Sequence, residues 1–253
     1  MKALIKVFFL IVSIESSFAE GVFINTSIKE ASGVMYHELR NTLFVVEDEG
    51  KIFELTLDGR ILREKKLGDY DLEGVTNGFD FNELILAVEG VDNLLVVDVD
   101  SFKVIREYSI GRKYKGHKIL KMDKKHGIEG IVNFEGRIFL VNQSYNLKTG
   151  KKVKDPSMVF EVKRKGNNKF HIVSINHIPI PDLAGMAERN GLLYLLSDNK
   201  DLILAYDYSS RTIIERIQLS NSWDQEGIDF DNDGNLYLAI DGKGVYKINK
   251  FDK

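Results

Sequence analysis

The 253-residue sequence contains no cysteine, only three prolines and one tryptophan. Without thiols there can be no disulfide staples, thiolate metal sites or cysteine nucleophiles, so any chemistry falls to oxygen and imidazole groups. Charge of one sign is lacking too. The 35 Lys+Arg residues against 38 Asp+Glu give a net charge of -3, too near neutral to draw in nucleic acid by bulk electrostatics. No Gly-x-Ser-x-Gly elbow, phosphate loop or zinc-binding helix motif occurs. What is present, 43% hydrophobic and 29% charged residues, suits a sizeable soluble domain and not a disordered chain.

The start, "MKALIKVFFLIVSIESSFAEG", sets Lys2 and Lys6 before an apolar run from Val7 to Ile14, followed by a small-x-small site at Ser17 and Ala19. This is signal-peptide patterning, with residues 1–19 removed on export. The run is well short of the about 20 residues needed to span a bilayer, and the absence of cysteine excludes a lipoprotein anchor. A periplasmic or secreted protein is expected; the alternative is attachment to the inner membrane through an uncleaved N-terminal segment. Residues 20–253 read as a single domain without a transmembrane segment, expected to be a monomer.

A polar-to-glycine signature opening an apolar strand recurs as "EASGVMYH", "YDLEGVTN", "HGIEGIVN", "PDLAGMAE" and "WDQEGIDF". The marker glycines Gly33, Gly74, Gly130, Gly185 and Gly227 fall at steps of 41, 56, 55 and 42 residues. Repeats of about 40 to 50 residues rich in short strands are the mark of propeller blades. Each unit continues with a short apolar run, from "LFVVED" in the first to "LYLAID" in the last, and then two further strands. The last unit has only three, and "VFINTSI" at residues 22–28 supplies the fourth. The expected fold is therefore all-β: a five-bladed β-propeller of four-stranded antiparallel blades, the last closed by the N-terminal strand.

"DQEGIDFDNDGNLYLAID", residues 224 to 241, imitates a calcium loop, with Asp229, Asp231 and Asp233 alternating before Gly234. The bidentate Glu that such a loop needs at its twelfth position is Ile240 here, and Asp-Gly between two strands reads as a tight turn. The candidate site lies elsewhere. Before the marker glycines stand Ser32, Glu73, Glu129, Ala184 and Glu226, and Asp71 and Asp224 lie two places earlier than two of those glutamates, on the same side of an extended strand. The second strands end in Asp48, Glu89, Gln143, Asp198 and Asp241. First strands line the channel of a propeller, so these oxygens converge at one mouth, where carboxylates repel unless a cation neutralises them. Calcium, a hard ion taking six to eight oxygens, fits that donor set, with Glu73, Glu129 and Glu226 as ligands and the second-strand acids as a second ring. The alternative is that the glutamates accept backbone N–H bonds from neighbouring blades and hold the ring closed.

In the stretches "ASGVMYH", "LFVVEDEGKIFELTLDGRIL", "DLEGV", "GIEGI", "DLAGMAERNGLLYLLSD" and "EGIDFDNDGNLYL" the chain resembles the SdiA-regulated family of exported bacterial proteins, related to NHL-repeat propellers. The resemblance implies a five-bladed propeller with a calcium site and no established reaction, and carries the metal expectation onto Glu73, Glu129 and Glu226. Ala184 departs from the serine more usual there.

Two insertions, residues 111–126 and 145–157, account for the longer steps and are rich in lysine. Both should rise beside the acidic mouth. As a positive rim they would offer Lys113, Lys115, His126 and Lys151, with Asp71 and Asp224, to a ligand; the plainer reading is a solvated charged loop. The function expected is a calcium-binding module recognising an envelope protein or an anionic small molecule. The alternative is a metal-dependent phosphoesterase, lactonase or esterase with Asp71 or Glu89 as base.

Overall fold

The computed structural model describes residues 21–120, 127–142, 157–220 and 222–251. Strands β1 (Val22–Asn25), β2 (Ala31–His37), β3 (Thr42–Glu47), β4 (Lys51–Leu55) and β5 (Ile61–Lys66) are followed by β6 (Leu72–Asn77), β7 (Glu83–Val88), β8 (Asn93–Asp98) and β9 (Val104–Gly111). A short hairpin, β10 (Lys113–Tyr114) and β11 (His117–Lys118), precedes β12 (Ile128–Phe134), β13 (Arg137–Asn142), β14 (Ser157–Arg164) and β15 (Lys169–Ile178). The chain finishes with β16 (Leu183–Arg189), β17 (Leu192–Ser197), β18 (Leu202–Asp207), β19 (Thr212–Gln218), β20 (Gln225–Phe230), β21 (Leu236–Ile240) and β22 (Gly244–Ile248).

Strand order follows chain order in the sheets β2-β3-β4-β5 and β16-β17-β18-β19, while β20-β21-β22 takes β1 as its outer member. Val22 pairs with Lys247 and Phe23 with Tyr246, so the first and last strands share one antiparallel ladder. The runs β6 to β9 and β12 to β15 do not stay separate. They join into one eight-stranded sheet because the long outer strands β9 and β15 overrun their neighbours and pair in parallel at Lys169–Ser109, Phe170–Ile110 and His171–Gly111. Phe170 then packs edge-on against Tyr108, ring centres 5.1 Å apart.

The innermost strands form a closed cycle: β2 packs beside β6, β6 beside β12, β12 beside β16, β16 beside β20, and β20 beside β2 again. The sequence explains which strands lie inside. First and second strands such as β2 and β3 are fully buried and mainly apolar, with polar residues such as Ser32, His37, Thr42 and Glu47 at or near their ends, because neighbouring sheets cover both of their faces. The fourth strands β5 and β19 carry charged residues and are mostly exposed. A separate hydrophobic core fills each gap between neighbouring sheets: Phe44 and Val46 meet Leu84 and Leu86 in one, and Val45 and Phe53 meet Tyr237 and Val245 where the cycle closes.

The marker glycines are the points of closest approach. A Cβ on Gly33 would lie 2.9 Å from Gly74 Cα, on Gly130 3.0 Å from Gly185 Cα, and on Gly227 2.8 Å from Gly33 Cα. Any side chain there would force neighbouring sheets apart.

Candidate functional site: an acidic mouth

Each inner strand carries a β-bulge, and the bulges fall between Ala31 and Gly33, Leu72 and Gly74, Ile128 and Gly130, Leu183 and Gly185, and Gln225 and Gly227. The unpaired extra residue is therefore Ser32, Glu73, Glu129, Ala184 or Glu226. A bulge bends its strand and re-aims a side chain, which turns these residues out of the ladder and towards the axis. The second-strand acids Asp48, Glu89, Asp198 and Asp241 stand one residue beyond the ends of their strands. Three are fixed the same way: Glu89 N–H donates to Asp71 O at 2.8 Å, Asp198 N–H to Asp182 O at 3.2 Å and Asp241 N–H to Asp224 O at 2.9 Å.

Among the marker glycines a cavity of about 10 Å³ remains, room for about one water molecule. Glu73 and Glu226 line the same narrow space.

Among the described residues the carboxylate group close enough to share an ion is Asp48, Asp71 and Glu73, with one oxygen from each within 4.8 Å of the others. Two oxygens bound to one calcium lie at most about 5 Å apart, so this set can chelate. It is not the trio of marker glutamates expected from the repeats. Glu73 belongs to it, whereas Glu129 shares a hydrogen bond with Glu89, and Glu226 lies among Asp48, Asp241, Asp198 and Asp224. The Asp71–Glu73 pairing expected from strand alternation is present.

Burial first, and then mutual repulsion, raises the pKa of these acids. Burial, then repulsion from Glu129, Glu226, Asp48 and Glu89, pushes Glu73 well above the ordinary carboxylate range. Burial and Glu89 do the same to Glu129, whose Oε1 is buried with no hydrogen-bond partner. Glu226 is raised to about 9 by burial and four neighbouring aspartates. Burial raises Glu89 to about 7 although Gly127 N–H donates to it at 2.7 Å. Asp48 is also raised, by burial first and by Asp71 and Asp241, against a hydrogen bond from Ser32 Oγ. A bound cation would reverse these shifts, and the donors are hard oxygens of the kind calcium takes.

Some of the site carries no signal in the repeat pattern. Asp92 is fully buried beside this group and is held by Arg112 Nη1, while Arg112 Nη2 donates to Val91 O at 2.6 Å. Asp182, in register with Asp71 and Asp224 two residues before Ala184, adds to the repulsion at Glu129. Lys113 and Lys115 are exposed on the β10–β11 hairpin that follows Arg112, with Lys115 Nζ 5.3 Å from the Tyr114 ring centre. His126, Gln143 and Lys151 lie outside the described residues.

The calcium-loop imitation is a turn. Asp231 accepts from the N–H groups of Asp233 and Asn235 at 2.9 Å each, from Asn235 Nδ2 at 2.7 Å and from Tyr237 OH at 2.8 Å.

Comparison with known proteins places the architecture. The sequence profile of the SdiA-regulated family matches residues 20–248. No curated protein matches the chain. Among solved structures, a Myxococcus xanthus glutaminyl cyclase is similar over 92% of this chain and 94% of its own, at 14% identity and a TM-score of 0.66. The β-propeller domain of Cps50 (Swd1) from Myceliophteria thermophila matches over 92% and 100%, at 10% identity and a TM-score of 0.53. A putative gluconolactonase matches over 92% and 82%, at 14% identity and 0.55. At these identities the likeness is one of fold, a β-propeller.

Proposed function

The chain belongs to the SdiA-regulated family, and from that premise we propose that it is an exported five-bladed propeller holding calcium in its acidic mouth and presenting that face to a ligand. The observation that carries this reading is the convergence of Asp48, Asp71 and Glu73 within 4.8 Å in a cup crowded with further acids. Asp48 and Asp71 come from different sheets, so an ion shared by them ties two sheets together. Glu73 is buried, while Asp48 and Asp71 are half-exposed. Coordination positions on the solvent side would therefore be open to an envelope protein or an anionic small molecule, with Lys113 and Lys115 on a nearby hairpin. The protein acts as a monomer in this reading, with residues 1–19 removed on export.

The same half-exposure favours a second reading, metal-dependent hydrolysis. The ion would supply Lewis acidity, and Asp71 or Glu89 would accept a proton from water at the open side. Calorimetric titration with calcium tests the common premise. A saturable exotherm or endotherm in the wild type that vanishes in Glu73→Ala is expected; no heat in either protein would refute calcium binding. Turnover of phosphoesters or lactones that disappears with chelator would then select the enzyme over the binding module.

A further inference from the structure

Two gaps between neighbouring sheets follow the same plan at the end of the inner strands away from the acidic mouth, yet one is filled and the other is hollow. In the gap between β2–β5 and β6–β9, Glu54 stands opposite Phe44 and Arg63. In the gap between β12–β15 and β16–β19, Glu161 stands opposite Phe139 and Ser174. Both glutamates are buried, 2% and 5% exposed. The facing hairpins match as well. Asp98 and Asp207 each accept hydrogen bonds from following serines, and Phe102 and Arg211 each adopt a left-handed backbone, with φ of 52° and 58°. Tyr208 and Ser209 therefore stand where Val99 and Asp100 stand in the first gap.

In the filled gap the occupant is Arg63. Its Nε donates to Glu54 Oε2 at 2.6 Å, Nη2 to Val99 O at 2.5 Å and Nη1 to Asp100 O, and its guanidinium lies 4.0 Å from the Phe102 ring centre. Glu54 also receives Arg40 at 2.8 Å and Thr42 Oγ1 at 2.9 Å, so two arginines serve it. In the second gap Arg137 takes the place of Thr42 and reaches Glu161 at 3.3 and 2.9 Å, and Tyr208 OH donates to Glu161 Oε2 at a long 3.3 Å. Lys163, largely exposed, comes no nearer than 3.7 Å. Ser174 replaces Arg63, and a cavity of about 490 Å³ opens, lined by Ser174, Glu161, Tyr208 and Ser209. The charged lining is Glu135, Glu161 and Asp207 against Arg137 and Arg211, an excess of one negative charge that favours a cationic guest.

We propose that this cavity is a receptor for a guanidinium group supplied from outside the chain, an arginine side chain seated where Arg63 sits in the filled gap. Planar guanidinium matches a carboxylate and paired carbonyls better than an ammonium does. The site lies apart from the acidic mouth and needs no metal.

Titration of isotope-labelled protein with N-acetyl-arginine amide, followed by backbone amide shifts, tests the assignment, with free arginine, N-acetyl-lysine amide and acetate as comparison probes. Saturable shifts at Ser174, Tyr208 and Ser209 are expected with the arginine probes, weaker by about tenfold or more with lysine. Preference for the capped over the free amino acid points to a polypeptide as the source; equal affinity points to a free guanidinium metabolite. Ser174→Arg, which restores the internal plug, should abolish binding and raise the melting temperature. Should that variant fail to fold, the isosteric Glu161→Gln decides the matter, with at least about tenfold weaker binding expected. The assignment is overturned by absent saturation in the wild type, by undiminished binding to Ser174→Arg or Glu161→Gln, or by acetate producing the same shifts through Arg211.

Discussion

Opposite ends of the last inner strand and its hairpin place acids in opposite situations. At the mouth, Glu226 is raised to about 9 by burial and by other acids. Past the other end, burial alone would push Asp231 up as well, but hydrogen bonds from Asn235, Tyr237 and Asp233 outweigh it and hold Asp231 below its ordinary value. The residue chemistry is the same and the number of donors differs. Donor supply, rather than the density of acidic letters, separates a turn from an ion site. Within "DFDNDG" Asp231 is the satisfied acid, whereas buried Asp229 is raised to about 7 and resembles the scattered glutamates in lacking enough donors.

The sharpest way to break this comparison is pH. A carboxylate whose folded pKa lies above its unfolded value binds more protons folded than unfolded between the two. For Glu226 that window runs from about 4.5 to about 9, so the calcium-free protein should lose stability as pH rises through it, by up to about 1.4 kcal/mol per pH unit. Denaturant melts at stepped pH check the slope, and a flat profile would mean the mouth acids are already compensated. Next in size is Gly185→Ala, whose methyl would meet the Glu226 carbonyl oxygen at 2.6 Å. About 3 kcal/mol of destabilisation is expected, with or without calcium, read by equilibrium unfolding.

Calcium itself should add about 2.7 kcal/mol at a hundredfold excess over its dissociation constant, raising the melting temperature by roughly 5–10 °C. Glu73→Gln should remove most of that shift while stabilising the ion-free form, which scanning calorimetry with and without chelator resolves. Smallest is Asp231→Ala, expected to cost about 2 kcal/mol through stranded donors. Its calcium affinity should stay at the wild-type value, and a weakened affinity in calorimetry would restore the turn to the ion's ligands.

Much of the architecture was legible because one contact forces one residue type. Gly33, Gly74, Gly130, Gly185 and Gly227 recur since each inner strand meets its neighbour's backbone, and buried second strands such as "LFVV" and "LYLL" must be apolar on both faces. The mouth was legible as a neighbourhood of acids, but which of them come closest together was not. Glu73 and its strand neighbour Asp71 stand out in the repeats, yet the approach of Asp48 arises from the junction of two sheets, which a single-strand pattern does not encode. The β9–β15 pairing is hidden for a similar reason: it depends on how far two outer strands overrun, and their alternation reads the same with or without a partner. Arg112 on Asp92 lies within an insertion whose lysines look uniformly solvated.

The shared ladder of β1 and β22 sets the order in which the molecule can mature. Val22 pairs with Lys247, 225 residues along the chain, with every other sheet lying between them in sequence. Such pairing carries the greatest loop-closure entropy the chain can incur. Closure of the ring is therefore the step with the longest loop to close, later than the local hairpins of each sheet.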